Sequence, residues 1–69
     1  MMVIVNAISG QSGDERTLRT LNINKIFHVE ENKQQKGTSL IVFEGTSPWV
    51  IDEPYHSLSH RIAKVVNYR

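Results

Sequence analysis

The stretch Leu40-Ile41-Val42-Phe43, followed by Gly45-Thr46-Ser47-Pro48, Trp49-Val50-Ile51 and a helix opened by Pro54, decides the fold. An apolar run, a turn built of Gly, Ser and Pro, and a second short apolar run predict a β-hairpin. Leu40 and Val42 alternate with Ile41 and Phe43, so both faces of the strand Thr38 to Glu44 are apolar. Both faces then need cover, which makes this the expected central strand. Pro48 has no N–H for a ladder and therefore opens the next strand or lies on an edge.

Beyond Ile51, Asp52-Glu53 puts negative charge at the start of the helix, where the macrodipole is positive, and Pro54 suits a first turn. Tyr55, Leu58, Ile62 and Val65 recur at steps of three and four with Val66 beside them, a stripe that packs on a sheet. Working back toward the N-terminus, Lys25 to Glu30 predicts a strand whose inward face carries Phe27 and Val29. The polar segment 31–37 predicts a flexible hairpin connection. Residues 15–21 alternate loosely, and their two threonines favour strand over helix. Ser9-Gly10-Gln11-Ser12-Gly13-Asp14 predicts a second flexible loop. Met2 to Ile8 is β-branched and apolar on both sides, with Met2, Ile4 and Ile8 opposing Val3, Val5 and Ala7. The expected class is α+β: a small, mainly antiparallel sheet of four to five strands with one C-terminal helix, ββββα, in a single domain spanning 1–69.

A 69-residue chain buries only about 60% of its extended surface, and the absence of Cys removes both disulfides and thiolate zinc as reinforcement. Self-association becomes the expected reinforcement. Met1-Met2-Val3-Ile4-Val5 meets Asn6 with no basic segment before it, too short for a signal or a membrane span. A soluble, cytoplasmic protein without membrane contact is expected. Eight Lys and Arg against seven Asp and Glu leave +1, which is no electrostatic footprint for nucleic acid.

Each candidate for chemistry meets a plain structural alternative. His56 and His60 stand four apart on the helix and could share a metal, but a zinc site needs a third and fourth ligand, for which only His28, Asp52 and Glu53 are at hand. Two histidines on a polar face explain the spacing, and no metal or other cofactor is expected. Gly10-Gln11-Ser12-Gly13 is one residue short of a nucleophile elbow, and no Lys-Ser or Lys-Thr follows Gly13 to complete a phosphate loop. Asp14-Glu15, Glu30-Glu31 and Asp52-Glu53 are adjacent pairs that point apart in extended backbone, hence surface and cap charges. With no set of nucleophile, base and orienting group, the chain is not expected to be an enzyme and no catalytic residue is assigned.

Nucleic-acid contact would use Arg16, Arg19, Lys25 and Arg69, with Arg61 and Lys64 on the helix. Against it, Phe27, Phe43, Trp49 and Tyr55 lie in patterns that predict burial, not stacking on bases, and only Tyr68 looks free. A small-ligand sequestering protein would hold its site between protomers. The apolar surplus argues for assembly: one helix covers one side of a small sheet, and the other side must meet a second copy or a protein partner. The expected function is a non-catalytic binding or regulatory module acting by protein contact as a homodimer. Its expected partner surfaces are the helix face of His56, His60, Arg61 and Lys64 and the 9–14 loop.

From Leu18 onward, Leu21-Asn22, Ile26, Val29-Glu30, Leu40-Ile41-Val42-Phe43, the Gly45 turn, Val50, Asp52-Glu53, Leu58, Ile62, Val65-Val66 and Tyr68-Arg69 resemble the small FlbD-like proteins of bacterial flagellar gene clusters, which have similar short phage-borne reading frames. The resemblance covers about three quarters of the chain and consists of hydrophobic spacing plus the acidic junction before the helix. It implies the ββββα fold and no enzyme activity. Size and genomic analogy, not the resemblance itself, give the expectation of a phage or mobile-element accessory protein that docks on a host factor. The 9–14 loop, the 31–37 insertion and Pro48-Trp49 depart from the pattern, so partner-binding details do not carry over.

Overall fold

A computed structural model describes residues 1–67. Its strands are β1 (Met2–Ser9), β2 (Glu15–Asn22), β3 (Ile26–Glu31), β4 (Ser39–Phe43) and β5 (Trp49–Ile51), and its helix is α1 (Tyr55–Asn67). One turn of 3₁₀ helix, Ile23–Lys25, links β2 to β3, with the Asn22 side chain accepting the Asn24 N–H. The strands form one five-stranded sheet in the order β2-β1-β5-β4-β3, antiparallel throughout, with α1 across one face against β1 and β3. This is the expected small α+β architecture.

Strand alternation decides which side chains reach the core. Val3, Val5 and Ala7 of β1 are buried, joined by Leu21 of β2, Ile41 of β4, Ile51 of β5 and Leu58 of α1. Ile62 and Val65 extend the helical stripe against them, while Tyr55 and Val66 at its border are exposed. The helix begins one residue later than expected: Pro54 stands just outside, and its carbonyl accepts the Leu58 N–H. The buried Ser39 hydroxyl donates to the Glu53 carbonyl at 2.7 Å, tying β4 to the link between β5 and α1.

Two expectations about the sheet are corrected. The three-residue β5, not β4, is the central strand, because β1 from the N-terminus closes onto its free side through Ala7↔Ile51 and Ile8↔Val50. Strand order depends on long-range pairing, which local apolar patterning does not encode. Phe27 does not face inward: it is 72% exposed. The β3–β4 register slips between Ile26↔Phe43 and His28↔Val42, so Phe27 is the extra residue of a bulge. The bulge turns Ile26 and Val29 together onto the core side.

Both connecting loops carry internal hydrogen bonds. Gly10 and Gly13 take positive φ, and the Gly13 N–H closes onto the Gly10 carbonyl at 3.1 Å. In the second loop the Asn32 side chain accepts the Gln34 N–H, while Thr38 donates its N–H and hydroxyl to the Gln35 carbonyl. Asn32 and Thr38 are buried, so this loop is seated against the sheet.

Leu58→Ala removes the only fully buried helical side chain among the described residues. It is expected to cost about 2–5 kcal/mol, much of the roughly 3–10 kcal/mol available to a chain of this length. Phe27→Ala is expected to change stability by less than about 0.5 kcal/mol. Urea unfolding of both variants checks the contrast.

Candidate protein-contact face

The helix covers the face bearing Val3, Val5 and Ala7, and the same alternation delivers Met2, Ile4 and Ile8 to the opposite face. Register extends that face across the sheet. Ile8 pairs with Val50 and Val50 with Leu40, so three apolar side chains form one cross-strand row. Arg16, opposite Ile8, and Glu30, opposite Leu40, close its ends. Val42 lies on the same side, and Leu18, opposite Asn6, continues the surface onto β2. Met2, Ile4 and Leu18 are 57%, 59% and 73% exposed, while Ile8, Leu40, Val42 and Val50 are half-buried by their neighbours. No helical segment covers them among the described residues.

Polar groups border this surface. Arg16 donates from Nε to the Asp52 carboxylate at 3.0 Å and from Nη1 to the Gly13 carbonyl at 3.0 Å, which fixes its guanidinium beside the apolar row. Along β1, pairing with β5 stops near Asn6, whose carbonyl accepts the Asp52 N–H at 2.9 Å. The next carbonyl on that side, Ile4, accepts a hydrogen bond from Arg61. A helical arginine thus blunts the stretch of β1 that β5 is too short to pair.

The expected partner residues divide. His56, His60 and Lys64 are exposed and, at i, i+4 and i+8, form one stripe on the side of α1 away from Leu58. Arg61 is not free to join them. Besides its bond to Ile4, it donates from Nη1 to the Glu53 carboxylate at 2.6 Å, and Glu53 also accepts from the Ser57 hydroxyl. Helix spacing alone could not reveal that pairing, because Ile4 lies in another element.

The expected nucleic-acid contacts do not share a face. Arg16 and Arg19 are an odd number of residues apart on β2, so their side chains leave opposite sides of the sheet. The Arg19 guanidinium instead stacks on Trp49, 4.8 Å from the ring centroid, and Trp49 meets Phe43 edge to face at 4.8 Å. Lys25 lies in the 3₁₀ turn and Arg69 lies outside the described residues. Phe27, the exposed aromatic that sequence patterning had placed inside, projects from the edge strand opposite β2.

For small molecules the surface offers shallow grooves. One of them, about 620 Å³, lies among Asn24, Lys25, Phe43, Glu44, Thr46 and Trp49. Among the described residues no three His, Asp or Glu side chains come together to hold a metal, and no helix is long and apolar enough to cross a membrane. Comparison with protein-family models, with curated proteins and with solved structures found no match.

Arg61→Ala is expected to lower stability by about 1 kcal/mol, since it removes a half-exposed ion pair and the cap on Ile4. Lys64→Ala, with no hydrogen bond or ion pair among the described residues, is expected to stay within about 0.5 kcal/mol. Thermal unfolding of the two variants side by side checks the difference.

Proposed function

We propose that this chain is a non-catalytic binding module that works by protein–protein contact through the helix-free face of its sheet. The exposure of Met2, Ile4 and Leu18 beside the Ile8, Val50, Leu40 row carries this reading. These three side chains alone leave on the order of 400 Å² of apolar surface open, comparable to the largest patch a monomer ordinarily shows and a common mark of an interaction site. Favouring protein over nucleic acid, the cations diverge: Arg16 is neutralised by Asp52, Arg61 by Glu53, and Arg19 lies over Trp49.

Immobilised wild type and Ile4→Lys, incubated with nuclease-treated cell extract at low and high salt, test the proposal. Wild type is expected to retain protein at both salt concentrations, because apolar burial is not screened. Ile4→Lys is expected to lose that protein while its melting temperature stays within a few degrees, as an exposed substitution should. Undiminished capture by Ile4→Lys, or retention of nucleic acid with steep salt dependence, would refute the assignment.

A further inference from the structure

The two outer edges of the sheet are finished differently. β3 is interrupted by the bulge at Phe27, a common device against edge pairing, whereas β2 runs in unbroken register with β1 over eight residues, from Ser9↔Glu15 to Met2↔Asn22. β2 contains no Pro, Gly or Lys. Its outward hydrogen-bonding groups follow from the bonds on β1. The Asn6 carbonyl points to Asp52 and the Ile4 carbonyl to Arg61, both on the β5 side, whereas the Met1 carbonyl points to Ile23 on the β2 side. Alternate residues of an antiparallel strand turn both backbone groups to the same side. Val3, Val5 and Ala7 therefore bond β2 through Leu21, Arg19 and Thr17, which leaves the N–H and C=O groups of Arg16, Leu18 and Thr20 at the open edge.

We infer that a second copy of this chain occupies that edge, β2 pairing antiparallel with β2 of its partner about a two-fold axis at Leu18. Only a register that sets even-numbered residues opposite even-numbered ones uses the outward groups, and the register centred on Leu18 covers nearly the whole strand. It sets Leu18 against Leu18 and Arg16 against Thr20. On the helix side Thr17 faces Arg19, and Glu15 lies diagonal to Arg19 of the other copy, within reach of long side chains. Charge is thus self-complementary, as an isologous interface requires. Glu15 has no ion-pair partner among the described residues, and stacking on Trp49 leaves the in-plane N–H groups of Arg19 available. The result is a continuous ten-stranded sheet with the two helices on one side and the two apolar patches, joined through Leu18, on the other. This rests on and deepens the protein-contact reading by naming one partner.

Because the chain has no Cys, single cysteines report the register directly. Leu18→Cys sets thiol against thiol, whereas Thr20→Cys, on the same face, separates its two thiols by about 14 Å along the strands, beyond disulfide reach. Under mild oxidation Leu18→Cys is expected to form covalent dimers at least about tenfold faster. As an independent arm, Glu15→Arg and Arg19→Glu are each expected to weaken dimerisation about tenfold, while an equimolar mixture restores both ion pairs and recovers it. Light scattering on a dilution series supplies the mass. A dimer in which Leu18→Cys and Thr20→Cys cross-link equally, or in which the charge mixture does not recover, overturns the edge register. A monomer at every concentration overturns the inference as well. Neither result touches the protein-contact proposal if Ile4-dependent capture persists, and loss of that capture overturns the proposal by itself.

Discussion

The structure depends on the mismatch between one helix and a sheet that is apolar on both sides. Leu58 reaches complete burial by entering a floor of Val3, Val5, Ala7, Leu21, Ile41 and Ile51. Period-two alternation then obliges every strand that contributes to this floor to send its intervening residues the other way. In β1, β4 and β5 most of those residues are apolar too, so the same pattern that builds the core also builds the open face. A sheet selected only to fold beneath α1 would carry polar side chains where Met2, Ile4 and Leu18 stand.

Around that constraint the polar residues act mainly as finishing groups. Glu53 receives Arg61 and Ser57 on its carboxylate and Ser39 on its carbonyl, so one residue ties the helix start, the link from β5 and a buried position of β4. Arg16 and Asp52 bridge β2 to the end of β5 over the helix-free face. Arg61 satisfies a backbone carbonyl that the short central strand leaves unpaired. Three of the arginines that composition alone would offer to a phosphate backbone, Arg16, Arg19 and Arg61, are thus occupied with the protein's own chemistry.

The element types were legible because each has a local cause: β-branched runs, glycine-rich turns, and the stripe of Leu58, Ile62 and Val65. The order of strands was not, since it depends on β1 meeting β5 across more than half the chain. The bulge at Phe27 was hidden for a related reason. Alternation counted along β3 assumes unbroken register, and the slip against β4 leaves no trace in composition. The two-sided apolar character of β1 was readable from Met2 to Ile8, and it foretold an uncovered face. The pairing of Arg61 with Ile4, which removes Arg61 from the helix stripe, joins residues 57 apart and could only be seen in the folded chain.

The central position of the shortest strand also bears on how the chain folds. The β1–β2 and β3–β4 hairpins each close over a short loop, and both can form locally at little entropic cost. They become one sheet only when Trp49–Ile51 inserts between them and brings Ala7 to Ile51. The long-range loop closure is therefore concentrated in three residues, and that closure raises contact order and slows folding. Mutations in β5 should thus act chiefly on the rate of folding, and mutations at the hairpin tips on local fraying.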